Sequence, residues 1–420
     1  MPADFYQRST CRACASTDLS LALPLAPTPL CDAYVQKERL ERKQDIYPLD
    51  LYLCESCGLV QLVHVVDKEI IYRDYIYVTT SSMGLSDHFE SYVDSVLTRM
   101  SPPPGSLVVD VGSNDGTLLR AFQSRGMRVL GVEPSTETAR AATENGIETI
   151  AEFFDAGIAD QMVRDSGRAQ VITINNLFAN IDDLDELMEG VSALLAEDGI
   201  FVVESSYLGD LIDNMVFDFI YHEHLSYLAL KPLIRFFDRH NMEVVDVERV
   251  DTKGGSLRYY AQKRGGGRAV DPGVGELVAY ENSLGLDRLE TYGAFSDKIA
   301  GLRANLVEAL SELKAAGKSI AGFGGSATTT TLIYHYGITE DLAYIVDDNP
   351  AKQHTFSPGC HLPVLPSDEI YTRKPDTVVI LAWRYAEPII KNNRRYLENG
   401  GQFIVPLPEL RLVTGAGNES

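Results

Sequence analysis

From Ser106 onward the chain alternates short apolar runs with polar turns and amphipathic stretches, and later it does so a second time. The runs SLVVDVG, MRVLGVEP, AQVITINN, GIFVVES and MEVVDVE have the length and β-branched content of buried strands. Between them, LLRAFQSR and ELMEGVSALLAE place apolar residues at helical spacing. Strands and helices in alternation leave few arrangements open: the strands lie parallel in one sheet and the helices cover its faces. The Gly-rich stretch GGGRAVDPGVG at 265–275 breaks the pattern and reads as a linker. A helical stretch follows, from about Gly275 to Ala316, and the alternation restarts in KSIAGFGG, LAYIVDD, DTVVILAW and GQFIVPLP. The fold class expected is α/β, with two Rossmann-like units in one chain. No repeat of fixed period and no low-complexity tract accompanies them.

Upstream of the Pro-rich stop SPPPG at 101–105 the pattern is different. Residues 1–80 hold short β-like runs, turn residues and five of the six cysteines. Cys11 and Cys14 form CRAC, and Cys54 and Cys57 form CESC. Two C-x-x-C turns of this kind match a tetrahedral Zn²⁺ site, and a small segment with little core gains much from such a staple. The competing reading is a set of buried or free thiols. With cysteine at every position no place remains for a catalytic water, so the metal expected is structural. Cys31 and Cys360 stand alone and read as packing residues. The expected division is a zinc-binding domain at 1–80, an α/β domain at 81–265, and a helical connection with a second α/β domain at 266–420.

Lys and Arg total 37 and Asp and Glu total 60, a formal charge of −23. Such a chain is a poor partner for nucleic acid or an anionic membrane. No apolar run approaches the roughly 18–20 residues that span a bilayer, and the start MPADFYQRSTCRAC lacks the layout of a secretory signal. A soluble, cytoplasmic protein is expected. The oligomeric state has no signature in the sequence.

The strand LVVDV runs into Gly112-Ser-Asn114-Asp115-Gly116 and then a helix start. Glycines there admit a ligand close to the backbone, and the helix N-terminus offers free N–H groups. Glu133, twenty-one residues after Gly112, ends the next strand, where a carboxylate can accept hydrogen bonds from both hydroxyls of a ribose. The loop is not G-x-G-x-x-G. Asp115 in it would repel a pyrophosphate but not a ligand with a cationic centre, which favours S-adenosylmethionine over NAD. Asn175, Asn176, Phe178 and Asn180 follow a third strand at the same sheet edge and should wall that pocket, unless Asn180 is simply a helix cap.

The run Tyr221-His222-Glu223-His224 offers a phenol, two imidazoles and a carboxylate in consecutive residues. A histidine beside a carboxylate can serve as a general base near neutral pH. On a strand, Tyr221 and Glu223 would face away from His222 and His224. On a turn, Tyr221, Glu223 and His224 could converge. A polar turn between domains and a second metal site remain open alternatives. The Tyr-rich segment 71–82, including Tyr75 and Tyr77, joins the first two domains and could orient a ligand or pack between them. In the last third, the Gly-rich turn at Gly322–Gly325 with Asp347 downstream suits a diphosphate and a ribose; its alternative is a degenerate unit that only completes the cleft.

Taken together these parts resemble the three-domain, zinc-containing sugar C-methyltransferases that act on nucleotide-linked keto-deoxysugars. The resemblance rests on the two cysteine pairs, Tyr75-x-Tyr77, DVGSNDGTLL, VEPS, YHEHLSY, Lys253-Gly-Gly-Ser-Leu-Arg258, GFGGSATTTTL, VDDNPAK and Ala382-Trp383-Arg384-Tyr385, and covers nearly the whole chain. It implies a class I methyltransferase domain between the zinc-binding domain and a C-terminal Rossmann-like substrate domain. It also implies S-adenosylmethionine at Gly112, Asn114, Asp115, Gly116, Glu133 and Asn176, a structural Zn²⁺, and a nucleotide-linked sugar as partner. His224 would remove the proton alpha to the sugar ketone, supported by Tyr221 and Glu223, with Tyr75 at the substrate. An O- or N-methyltransferase using the same donor site is the alternative. A zinc-stabilised scaffold and an NAD-dependent oxidoreductase are weaker ones. The chain departs from the family at Asn180, where a His is common. It departs again at Ser326-Ala-Thr-Thr, where a Lys usually follows the glycines, and at Arg384, where Asn is usual. The last two changes are expected at the nucleotide-sugar end.

Overall fold

The structure is a computed structural model that describes residues 5–72 and 85–415. Among these residues the strands form two seven-stranded sheets, one four-stranded sheet and a two-stranded ribbon. The α/β class is confirmed. The central sheet runs in the order Met242–Val250, Ser256–Lys263, Leu195–Ser206, Ala169–Asn175, Leu107–Val111, Arg128–Val132 and Thr149–Ile150. Every strand expected in this unit is present. An all-parallel sheet, however, is not what forms. Ser256–Lys263 enters between Leu195–Ser206 and Met242–Val250 and is antiparallel to both. Its connection to Met242–Val250 is too short for a parallel crossover, which needs a dozen or more residues, so the two must form a hairpin.

The second large sheet runs Thr355–Phe356, Pro363–Pro366, Ile345–Asp347, Ile320–Phe323, Thr377–Ile380, Gln402–Val405 and Arg411–Thr414. Its inner strands are parallel and its two outermost are antiparallel. The helical stretch before it comprises Pro272–Leu284 and Leu289–Ala315. The first helix starts inside the stretch read as a linker, because Asp271 accepts from the Gly273 amide and Pro272 occupies the first helical turn.

The four-stranded sheet holds Leu19–Leu23, Leu51–Cys54 and Val60–Leu62, and its fourth strand, Ser226–Tyr227, comes from the middle of the chain. That pairing ties the N-terminal cysteine-rich unit directly to the segment after His224.

One face of the central sheet carries a buried charge cluster that follows from strand register. Arg258 lies opposite Glu204 on one neighbour and Glu248 on the other. Its Nε donates to Glu204 Oε2 at 2.8 Å and its Nη1 to Glu248 Oε2 at 2.7 Å, while the guanidinium lies 4.0 Å over the Tyr92 ring. His88 Nε2 meets Glu204 Oε1 at 2.6 Å. Burial alone would raise the Glu204 pKa, but His88 and Arg258 hold it below the usual range. Truncating one member of such a cluster leaves an uncompensated charge. Arg258→Met should therefore cost about 3–5 kcal/mol in urea unfolding, and the Glu204→Met/Arg258→Met double variant should regain most of it.

Candidate active site

The three units meet around one cleft of about 1910 Å³. Single-ligand pockets occupy roughly 300–1,000 Å³, so this cleft has room for two reactants. At its central-sheet end the loop after Leu107–Val111 bends through left-handed conformations at Gly112 and Asn114, with φ of 78° and 48°. Glu133 accepts from the Asn114 amide at 3.1 Å and from the Ser135 amide at 2.9 Å. Burial raises its pKa and the two amides oppose the rise. Gly112, Asn114, Glu133 and Asn176 all line the cleft, and Asn176 is also left-handed.

Asp115 and Gly116 do not line it. The Asp115 carboxylate accepts from Thr117 N at 3.1 Å and Thr117 Oγ1 at 2.6 Å, which ties it to the first residue of the helix Thr117–Ser124. Gly116 is required by its φ of 75° and by Ile147, whose side chain would lie 2.9 Å from a Cβ there. Asp110 was not foreseen. It lines the cleft, and burial raises its pKa to about 7 against a 2.6 Å hydrogen bond from Thr173 Oγ1. It reads as part of an apolar strand, so only its acidic residue type inside that strand could have marked it.

Cys11, Cys14, Cys54 and Cys57 converge. Their sulfurs all lie within 4.8 Å of one another, with Cys11–Cys57 and Cys14–Cys54 both at 3.6 Å. A tetrahedral Zn²⁺ with Zn–S of about 2.3 Å needs sulfurs about 3.8 Å apart, so the residues fit the ion. The crowded thiols also titrate apart. Cys11 is lowered to about 5 by the hydrogen bond from Cys57, and Cys57 is pushed up by giving it. A divalent cation would hold all four as thiolates.

Residues 221–224 form a turn closed by His224 N donating to Tyr221 O at 3.0 Å. Of the two arrangements open from the sequence, this is the convergent one. The Tyr221 and His224 rings lie 4.2 Å apart, and Tyr221, Glu223 and His224 line the cleft. His224 Nδ1 lies 3.1 Å from the Phe219 carbonyl. A carbonyl only accepts, so Nδ1 carries the proton and the lone pair sits on Nε2. Burial lowers the His224 pKa to about 3, so the ring is neutral. Glu223 is raised to about 7, by burial and then by the charge of Asp32. Cys31, expected only to pack, donates its thiol to Glu223 Oε1 at 3.3 Å. His222 turns toward the zinc-binding unit, where its Nε2 meets the Pro48 carbonyl at 3.2 Å. Tyr75 and Tyr77 lie outside the described residues.

The C-terminal unit grips the same segment. Thr331 Oγ1 donates to Ile220 O at 2.6 Å, Trp383 Nε1 donates to Asp218 Oδ2 at 2.9 Å, and the Arg384 guanidinium lies 5.0 Å over the Phe219 ring. Arg384 thus packs on the turn at residues 217–224 and also lines the cleft, as do Ser326, Ala327 and Thr328 of the departing stretch. The glycine turn of this unit also lines the cleft, with Gly325 N donating to Asp347 Oδ2 at 2.6 Å. Lys352 donates to Gly325 O at 2.8 Å, and Tyr34 of the zinc-binding unit donates to the same carbonyl.

Arg12, inside CRAC, connects the metal site to the chemistry. Its side chain is buried, and Nε donates to Asp182 Oδ1 at 2.8 Å. Its Nη1 donates to Gln61 Oε1 at 3.1 Å, to Leu62 O, and to Leu225 O at 3.3 Å, one residue past His224. Metal analysis of purified protein should accordingly find one zinc per chain. Cys54→Ser should lose the metal and lower the thermal midpoint by several degrees, because binding free energy is here folding free energy.

Comparison with known proteins agrees with this architecture. Residues 11–72 match a zinc binding domain family, residues 86–247 a methyltransferase domain family, and residues 251–408 the C-methyltransferase C-terminal domain family. The chain is 35% identical over 405 residues to C-methyltransferase NovU of Streptomyces niveus, covering 96% of each. Among solved structures, magnesium protoporphyrin IX methyltransferase of Synechocystis covers 42% of this chain and 82% of its own, at 13% identity and a TM-score of 0.33. An S-adenosylmethionine-dependent methyltransferase of Clostridium acetobutylicum covers 47% and 95%, at 13% identity and a TM-score of 0.34. No helix among the described residues is long and apolar enough to cross a membrane. With a paired-cysteine metal site, a donor loop and a C-terminal unit matched in order along its length, the chain belongs to the three-domain, zinc-containing, S-adenosylmethionine-dependent C-methyltransferase family.

Proposed function

We propose that the protein methylates the carbon beside the ketone of a nucleotide-linked keto-deoxysugar, with His224 as the base. The observation that carries this reading is the neutral His224 ring. Its proton is held on Nδ1 by the Phe219 carbonyl, and its ring lines the cleft shared by the donor loop and the C-terminal unit. A base for a carbon acid has to be desolvated and neutral before reaction, and burial keeps this imidazole so. The donor, when bound, supplies an electrophilic methyl group on a sulfonium centre.

Gly112, Asn114, Glu133 and Asn176 would hold the donor, Glu133 through the ribose hydroxyls. Asp115 and Gly116 would act one step back, by fixing the helix whose start faces the loop. Tyr221 packs on the base and keeps water off its face. Glu223 lies in the same turn with a proton shared at neutral pH, available to a sugar hydroxyl as donor or acceptor. The Gly324–Gly325 turn and Asp347 suit the nucleotide part of the acceptor. Tyr75 stays in the proposal as a substrate-side residue on the resemblance alone.

The test is to incubate the enzyme with methyl-¹³C S-adenosylmethionine and a panel of nucleotide-linked 4-keto-6-deoxysugars, then read the products by NMR. Label on a sugar carbon supports the reading. Label in the O–CH₃ or N–CH₃ region overturns it in favour of the heteroatom alternative, in which His224 takes a hydroxyl or ammonium proton. His224→Gln should lower kcat by about 10²–10⁴-fold and leave the donor Kd within about twofold, as expected for a base that does not hold the donor. Glu133→Ala should weaken donor binding by about tenfold, the scale of one or two hydrogen bonds to a charged group, measured by calorimetry.

A further inference from the structure

Two cations beside the catalytic turn have no part in the steps above. Lys253 sits in the hairpin connection between Met242–Val250 and Ser256–Lys263, in a left-handed conformation with φ of 55°. Gly254 and Gly255 follow at φ of 89° and 120°, and a Cβ on Gly255 would lie 2.3 Å from Asp210 Cβ. A non-glycine residue held in this region costs free energy, and such strain persists where a side chain has to be aimed. Lys253 lines the cleft and makes no hydrogen bond to a described residue.

Arg384 reaches the same place from the C-terminal unit. It also lines the cleft, and its Cδ lies 3.3 Å from where a Cβ on Gly254 would be. Its Nη1 is buried and has no partner among the described residues. Asp218 attracts Arg384 but already accepts from Trp383 through Oδ2, and Glu204 and Glu223 attract Lys253 without a hydrogen bond to it. The Phe219 ring under Arg384 is itself 4.9 Å from the His224 ring. Lys253 and Arg384 thus stand together next to the base, desolvated and mutually repulsive. Two such groups call for an anion between them.

The proposed chemistry makes an anion at this place. His224 Nε2 takes the proton from the carbon next to the ketone. The C–H bonding pair becomes the C=C bond, and the carbonyl π pair moves onto oxygen. That oxygen is two bonds from the proton's carbon, hence within roughly 5 Å of the base nitrogen. We propose that Lys253, assisted by Arg384, donates hydrogen bonds to this enolate oxygen, so that the pair is the oxyanion site of the enzyme. The proposal rests on the carbon-methylation reading. In the second step the oxygen pair re-forms the carbonyl, the C=C pair bonds to the methyl carbon, and the methyl–sulfur bond breaks to leave a neutral thioether. The proton stays on His224 until solvent removes it.

The experiment separates the two steps. Zinc-loaded enzyme with S-adenosylhomocysteine is placed in D₂O with a thymidine-diphosphate-linked 4-keto-6-deoxyhexose, and α-proton exchange is followed by NMR. Lys253→Met should lower the exchange kcat about 10²-fold, the scale of losing one oxyanion donor. The sugar KM, the S-adenosylhomocysteine Kd and the zinc content should stay within about twofold of wild type, as for a group that acts only on the developing charge. Arg384→Asn should lower kcat about tenfold, as a second and weaker donor.

Burial places the Lys253 pKa at about 8, against the pull of Glu204 and Glu223 and with the push of Arg384. Wild-type exchange should therefore fall above about pH 8, where the ammonium is lost. Lys253→Arg should keep part of the rate and move that limb upward, because arginine does not deprotonate. Unchanged exchange in Lys253→Met overturns the proposal. So does a raised KM with kcat intact, or weakened binding of thymidine diphosphate alone, either of which makes the pair a phosphate site. If wild-type enzyme exchanges no α-proton on any keto-sugar yet methylates oxygen or nitrogen, the carbon reading falls and the oxyanion role falls with it.

Discussion

The buried Arg12 guanidinium ties the metal knuckle to two distant segments of the chain. Arg12 lies between the two cysteines of the first knuckle, and its nitrogens reach Asp182, Gln61, Leu62 and Leu225. A buried cation is tolerated only where acceptors surround it. The metal knuckle, the loop after Ala169–Asn175 and the residue after His224 are therefore mutually positioned. Asp182 is held further by Arg8 and Tyr6 from the N-terminal strand. In this arrangement the four-cysteine metal site stabilises a scaffold whose next layer is the cleft.

The turn that carries His224 illustrates how a weakly regular segment becomes rigid. Residues 217–226 have little regular structure of their own, yet every side of them is held. The zinc-binding unit supplies Pro48, Cys31 and the strand partner Val60–Gln61; the central unit supplies Ala179 O to Leu225 N; the C-terminal unit supplies Thr331, Trp383 and Arg384. A side chain that has to meet a ligand at hydrogen-bond distance cannot be carried on a loose loop, since small displacements cost large factors in rate. Three units closing on one turn meet that requirement. The same closure accounts for the ionisation pattern, because each unit that packs on the turn also strips it of water.

The C-terminal Rossmann-like unit deserves a separate reading from the central one. Both have a strand, a glycine turn and a helix at the cleft, but their turns are engaged differently. In the central unit the loop amide of Asn114 is met by Glu133, which sits on the next strand of the same sheet. In the C-terminal unit Asp347 plays that part for Gly325, while Lys352 and Tyr34 close on the Gly325 carbonyl. The Thr-rich helix beyond the glycines turns one hydroxyl onto the Ile220 carbonyl. This unit is therefore both a wall of the cleft and part of the support of the turn that carries His224.

Much was legible in the sequence because some constraints are local. The strand and helix periods, the C-x-x-C spacing and the glycine turns depend on neighbouring residues, and these predicted the sheets, the four-sulfur cluster and the donor loop. Other properties depend on what the chain brings from a distance. Ser256–Lys263 could be placed as an antiparallel insert only by the tight connection before it. Asp115 reads as a ligand-facing charge, and only the tertiary structure turns its carboxylate onto Thr117. Cys31 reads as a packing residue until Glu223 lies beside it, and the packing of Arg384 on Phe219 appears only once the C-terminal unit closes on the turn. The sequence by itself determined which residues could fold locally into strands, helices and metal knuckles. Tertiary structure alone decided which charges were stripped of water together, and in a low-dielectric cleft that decides which groups are held neutral and which are held charged.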